Sequence, residues 1–228
     1  MESVVGQTYP RIEYLIVDGG STDETLHILG RYRRKLSKVI NEQDRGISDA
    51  FNKGVNASSG DFIQLLNADD YLAQDKIEKS VMRLQAHPSA GFVFGDIIRI
   101  GVNGTQKRIM GDPHFRRWIR FTMGRLNHPT VLAERNLFER YGLFDERWST
   151  AMDYEWLLRV YNEGIRGIYS PNVITYMGAG GKSEAGAYTA FREVRDISIL
   201  HGFNSVAAYG YYALRAVKHF VYLKAGLR

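Results

Sequence analysis

Ile12-Glu13-Tyr14-Leu15-Ile16-Val17-Asp18-Gly19-Gly20-Ser21-Thr22-Asp23-Glu24 is the stretch on which the fold turns. Its apolar, β-branched run has no helical period and lies between Pro10 and the Asp18-Gly19-Gly20 punctuation, so it reads as a buried strand. Ser21 with Glu24 three residues later reads as a capping box that opens a helix through Leu26, Ile28 and Leu29. The βα unit then repeats. Val39-Ile40 is a short strand, Ile47 to Ala57 a helix, and Phe62 to Leu66 a second apolar strand ending in Asn67-Ala68-Asp69-Asp70. Asp75 caps a further helix that stops at Pro88. Strands and helices in alternation predict an α/β protein with a mostly parallel central sheet flanked by helices. Asp18 and the Asp69-Asp70 pair follow predicted strands, at the carboxyl ends where an open α/β sheet binds its ligand.

The second half has a different rhythm. Phe92 to Ile100, the pair Asn103-Gly104 and a return over Gln106 to Met110 predict a hairpin. A basic-aromatic helix with Arg116, Arg117, Trp118 and Arg120 follows. Next come a strand at 130–132, a helix near 137–141, a helix from Asp153 to Gly164, and strand-like pieces at 168–169 and 173–176. Gly178 to Gly186 is a glycine-rich loop.

Composition narrows the functional classes. The chain has 228 residues, 44% hydrophobic and 24% charged, which fits a globular protein and excludes disordered and collagen-like classes. With Cys 0, disulfides and thiolate metal sites are excluded. The net charge of +5 is too small to indicate a nucleic-acid binder. No residue after Asp196 is acidic, while Arg215, Lys218, Lys224 and Arg228 are basic, so most of the excess charge lies in the tail. The longest uncharged stretch, 197–214, is interrupted by polar residues and falls short of a spanning helix. With no signal peptide at the N-terminus, the simplest location is cytoplasmic.

Three segments together carry a resemblance: Val17 to Asp23; Asp44-Arg45-Gly46-Ile47-Ser48-Asp49-Ala50-Phe51-Asn52-Lys53-Gly54; and Leu66 to Asp70. With His128-Pro129-Thr130, Tyr141 to Glu146 and Met152 to Arg159, they resemble the family 2 glycosyltransferases of the A-type nucleotide-diphospho-sugar fold. That resemblance implies a single glycosyltransferase domain over 1–203, with a donor half about 1–100 and an acceptor half about 101–203, and a basic amphipathic helix over 204–228. It implies an inverting transfer of sugar from a nucleotide-diphospho-sugar to an acceptor hydroxyl in polysaccharide or glycolipid synthesis. Asp18 then resembles the nucleoside-contacting acid, or serves as a helix-entry turn residue. Asp49, Asn52 and Lys53 resemble donor-binding groups; for Asn52 and Lys53 a solvated helix face is the alternative. Asp69 resembles the acid beside the ribose, and Asp70 the direct ligand of Mn²⁺ or Mg²⁺, a pattern suited to a hard cation shared with phosphate oxygens. Asn67 stands where an aspartate is often found. Asp153 resembles the general base, or is a plain N-cap. His128 lines the acceptor pocket or is structural, Lys182 meets a phosphate or sits in a flexible loop without function, and Trp148 and Trp156 stack on sugars, with core packing the alternative for Trp156.

The resemblance also implies a strand, a loop and most of a helix ahead of Ser3-Val4-Val5, roughly 25 residues by ordinary element lengths. A misassigned start codon and an inactive truncated product both fit, and either predicts impaired donor binding and a marginal core. The competing functional classes are a catalytically impaired homologue acting as a binding or membrane-associated protein, and a nucleotidyltransferase. The C-terminal helix has Val206, Tyr209, Ala213, Val217, Phe220 and Leu223 on one face, with Arg215, Lys218, His219, Tyr211 and Tyr222 opposite. That pattern predicts either an anionic membrane surface as partner or packing on its own domain.

Overall fold

The computed structural model describes residues 1–178 and 186–224. A short helix α1 (Glu2–Val5) leads to β1 (Leu15–Asp18), α2 (Thr25–Tyr32), β2 (Lys38–Asn41) and α3 (Ile47–Ala57). β3 (Phe62–Gln64), β4 (Asp70–Leu72), α4 (Lys76–Gln85), and the hairpin β5 (Ala90–Ile100) and β6 (Gln106–Ile109) follow. β7 (Leu132–Glu134), α5 (Arg135–Tyr141), α6 (Met152–Asn162), β8 (Arg166–Gly178), α7 (Ala187–Leu200) and α8 (Ser205–Lys224) complete the chain.

The α/β architecture is as expected, but the central sheet is mixed rather than mostly parallel. Six strands pair in the order β3-β7-β5-β8-β4 with β6 on β5, and only β5 and β8 run parallel. Parallel neighbours need a long crossover. Such a crossover, with α5 and α6 in it, separates β5 from β8, whereas β6 returns through a turn at Gly104 with φ +77°. β1 and β2 form a separate parallel pair, joined by the α2 crossover. With β2 as its one partner among the described residues, β1 leaves Leu15, Ile16 and Val17 half-buried where a buried strand is predicted. Glu13 ties the start of β1 to the start of β3, its carboxylate accepting Ser59 N at 2.7 Å and Gly60 N at 3.1 Å.

β5 is the middle of the large sheet and is buried along residues 90–97, because side chains alternate between two covered faces. Phe92 and Phe94 enter a core with Leu126, Leu137, Trp156 and Leu158. Val93 enters the opposite core with Leu72, Val81, Leu132 and Val173. β8 is one strand where two pieces are predicted. Its pairing skips from Tyr169 opposite Phe94 to Ile174 opposite Asp96, a bulge that accommodates Pro171 without costing a ladder hydrogen bond. Opposite the bulge, a Cβ on Gly95 would lie 1.9 Å from Val173 O, so only glycine fits. α4 carries Lys76, which is fully buried and has Gln64 as its hydrogen-bond acceptor. Its ammonium pKa is driven well below the ordinary lysine value by burial.

Two expectations about local structure change. α2 begins at Thr25 and has no capping box, because Ser21 is held by Asp18 and Asp23 Oδ1 accepts Thr25 N at 3.0 Å. The basic-aromatic segment forms only a 3₁₀ turn at Phe115–Arg117 followed by further turns.

Candidate active site

The donor-side loops converge on the ends of β1 and β2. Asp18 is buried, and both its carboxylate oxygens are engaged by Ser21, through the backbone N at 3.0 Å and through the hydroxyl. Gly19 lets the Asp44 carboxylate lie close against the chain, since a Cβ would meet Asp44 Oδ2 at 2.1 Å and displace that side chain. Asp44 Oδ1 in turn accepts Gly46 N at 3.0 Å, at the entry to α3.

The three α3 residues are committed within the protein. Asp49 accepts Arg45 N and Arg45 Nη2, both at 3.0 Å, and lies 3.3 Å from Lys53 Nζ. These bonds, the Arg45 N–H first, hold its carboxyl below the ordinary range. Lys53 Nζ lies 3.0 Å from Glu42 Oε1 and donates to Gln43 O at 3.0 Å. Asn52 is buried and donates to Phe144 O while accepting Phe144 N, both at 2.9 Å. It is a staple between the donor-side and acceptor-side segments. The predicted solvated face does not describe Asn52, which is buried, whereas Lys53 makes its ion pair with Glu42 at the surface.

Asp69 and Asp70 behave differently. Asp70 is buried at the start of β4, where Asn67 Nδ2 donates to its Oδ2 at 3.2 Å. Burial first, and the neighbouring charge of Asp69 second, push its pKa up to about 6. Asn67, in the position of a third acid, therefore supplies a donor to Asp70. A Cβ on Gly178 would lie 2.9 Å from Asp69 O, so glycine lets β8 close against the pair. Among the described residues no group of three or more His, Asp or Glu side chains gathers to hold a metal. Two adjacent carboxylates, one of them poor in compensating charge, nevertheless fit a hard cation that completes its shell with phosphate oxygens and water.

β8 links this pair to the acceptor side. Met177 pairs with Asp70, and two residues earlier, about 7 Å along the strand, Thr175 Oγ1 donates to Pro129 O at 3.0 Å. Gln64 Nε2, on β3, donates to the same carbonyl at 3.1 Å. His128 is thereby fixed beside Phe51 and Phe144, with ring centroids 6.4 and 6.2 Å away. Its Nδ1 lies 3.6 Å from Asp153 Oδ2. Asp153 is the second residue of α6 rather than its N-cap, which is Ala151, and its Oδ1 accepts Tyr154 N at 2.7 Å. Burial raises the Asp153 pKa and His128 opposes the rise, while burial lowers the His128 pKa. The pair is a neutral imidazole beside a carboxylate of enhanced basicity, in the first turn of a helix whose dipole keeps that carboxylate usable as an anion.

Glu193 on α7 is not among the site residues expected from the sequence. Its carboxylate accepts Ser149 N and Oγ, Thr150 N and Oγ1, and Ala151 N, all between 2.7 and 3.0 Å. It thus fixes the strip of chain immediately before Asp153. A lone glutamate on a helix carries no sequence signal for such a role; the Ser149-Thr150 pair before a helix start is the nearest one. Trp156 is core, donating to Gly142 O at 3.0 Å. Trp148 packs at the core edge with a buried indole N–H that has no partner among the described residues. Lys182 lies outside the described residues.

The model of the family described as Glycosyl transferase family 2 matches residues 1–146. The chain belongs to that family. A "PGL/p-HBAD biosynthesis glycosyltransferase" of Mycobacterium bovis is 28% identical over 172 residues, covering 71% of this chain. The chain spans 63% of the length of that relative. Among solved structures, the mannosyltransferase PcManGT of Pyrobaculum calidifontis, in complex with GDP-Man and Mn²⁺, superposes with a TM-score of 0.67 at 20% identity. It covers all of this chain, which spans 71% of it. TarS 1-349 of S. aureus in complex with UDP-GlcNAc gives a TM-score of 0.66 at 20% identity, over 97% of this chain and 68% of the other. At these identities the likeness establishes the A-type fold, mixed sheet included.

Proposed function

We propose that this family 2 glycosyltransferase moves a sugar from a nucleotide-diphospho-sugar to an acceptor hydroxyl with inversion at the anomeric carbon, in polysaccharide or glycolipid synthesis. The observation that carries the reading is Asp153, a half-buried carboxylate of raised pKa, backed by neutral His128 and linked through β8 to the acidic pair Asp69-Asp70. Asp153 takes the acceptor hydroxyl proton as that oxygen attacks the anomeric carbon. The new C–O bond forms as the bond to the diphosphate breaks, and the nucleoside diphosphate leaves with the electron pair. A single displacement of this kind inverts the centre.

Asp70 would hold Mn²⁺ or Mg²⁺, with Asp69 beside it at the ribose. When bound, the cation neutralises charge on the departing diphosphate. Asp18 lies at the β1 end where the nucleobase would sit, its oxygens already turned toward Ser21. Asp49, Asn52 and Lys53 support the donor loop from below, through Arg45, Phe144 and Gln43. The bound Mn²⁺ and sugar nucleotides in the structural neighbours favour the same donor class.

Incubation with nucleotide-diphospho-sugars and Mn²⁺ tests the reading. Release of nucleoside diphosphate that disappears in Asp153→Asn supports it. Release of pyrophosphate would make the protein a nucleotidyltransferase, and binding of donor without turnover would make it a binding protein.

A further inference from the structure

α8 is mounted with its polar side inward. Ala208, Tyr211, Tyr212, Arg215 and His219 recur at helical spacing and face the body of the protein. The Arg215 guanidinium stacks 4.3 Å over Phe191 and donates to Thr122 Oγ1 at 3.2 Å. Arg195 lies 4.8 Å from the Tyr209 ring and 5.0 Å from Tyr212. His219 meets Tyr188 and Phe191 edge-on. The other side, where a docked amphipathic helix would bury its hydrophobes, is open. Val206 is 79% exposed, Leu214 63%, Val217 62% and Val221 58%. With Gly210, Ala213 and Phe220 these form one stripe along a helix of about 30 Å, and no charge interrupts it before Lys224.

The surroundings are cationic. From Pro113 to Ala133 there is no acidic residue, and this segment lies against α8 through Phe121 on Tyr211 and Thr122 on Arg215. It exposes Arg116, Arg117, Arg120 and Arg125 together with Trp118, which is 51% exposed. Lys218 flanks the stripe, and no acid follows Asp196. Among the described residues no helix is long and apolar enough to cross a membrane.

We propose that the outward face of α8 is a docking surface for an anionic lipid bilayer, on which the helix lies in the interface plane. Apolar stripe, an acid-free segment over 113–133, arginines and an exposed tryptophan match the chemistry of such a surface, with acyl chains beneath a negative headgroup layer; Asp196, on the α7 side, is paired with Arg195. An apolar protein partner would leave the charge asymmetry unused. The inference is independent of sugar transfer, because none of these residues belongs to the carboxylate site.

The test is co-sedimentation of the full chain with phosphatidylcholine vesicles, with and without phosphatidylglycerol. Binding is expected only to the anionic vesicles, weakening as salt rises. The variant Leu214→Glu/Val217→Glu/Val221→Glu removes outward side chains only and is expected to lose more than about tenfold in vesicle affinity. Its circular dichroism and donor binding should match those of the parent. Lys218→Glu/Lys224→Glu should weaken binding at low salt and little at high salt. Equal binding by the triple variant, or no binding of the parent to anionic vesicles, overturns the proposal. A parent dimer that the triple variant dissociates, without vesicle binding, would overturn it in favour of a second copy on this face.

Discussion

The carboxylates of this protein fall into two regions that differ in how their charge is met. At the entry to α3, Asp49 has Arg45 and Lys53 within 3.3 Å and a lowered pKa. On β4 and α6, Asp70 and Asp153 have raised pKa values, and among the described residues neither carboxylate is paired with a lysine or arginine. The first region is electrostatically complete, and its acids hold the architecture. The second is incomplete, and its acids hold charge in reserve for a proton or a cation. Perturbed carboxylates in a crevice are where chemistry is sought, and the contrast separates candidates that the primary structure presents as equals.

The contrast breaks most decisively at Asp153. Asp153→Asn keeps the shape and removes the proposed base, so turnover should fall by about 10²–10⁴ with the fold and donor affinity intact; retention of turnover would move the base elsewhere. Asp70→Asn should cut metal-dependent donor binding by about tenfold or more, measured by calorimetry with Mn²⁺.

Asp70 also carries a stability signature. Its folded pKa of about 6 lies above the unfolded value, so the folded state holds the proton more tightly between pH 4 and 6. Stability should therefore fall as pH rises through that window and stay reduced above it. Asp70→Asn should recover about 1–2 kcal/mol at pH 8, allowing for solvent screening, and nothing at pH 4. Thermal melts of both proteins at the two pH values check the sign.

Glu193→Gln should loosen the Ser149 to Ala151 strip and lower kcat by about tenfold while KM for donor stays constant. The acidic limb of the pH profile should shift as Asp153 is repositioned, which a purely structural loss would not produce. In the complete region, Asn52→Ala should cost about 1–3 kcal/mol of stability, because Phe144 N and O lose their partner. Smallest of all, Lys53→Met should change donor affinity within about twofold, since its contacts are surface ion pairs.

Legibility followed the same divide. The run Ile47 to Ala57 was readable to the residue as α3, and Asn103-Gly104 marked its hairpin, because local periodicity and turn chemistry decide both. Asp69, Asp70 and Asp153 were legible as a motif set. What those motifs could not reveal was partnership at long range. Asn52 finds Phe144 across 92 residues, and Glu193 finds Ser149 across 44. The bulge that fuses β8 depends on Gly95 of another strand, and the split between β1–β2 and the large sheet depends on pairing, not on propensity. α7 had no assigned reading, although Phe191, Val194, Ile197 and Ser198 carry a helical period. The two faces of α8 were visible, but a helical wheel says which side is apolar and not which side is covered.

Lys76 adds a bookkeeping entry of a different kind. An unfolded chain carries that amine protonated up to about pH 10.4, whereas its seat against Gln64 disfavours the ammonium. Folding is then a reaction with a proton among its products, and buffer will register it. Calorimetric folding enthalpies should differ between buffers of different ionisation heat, and stability should climb as alkali draws that proton away.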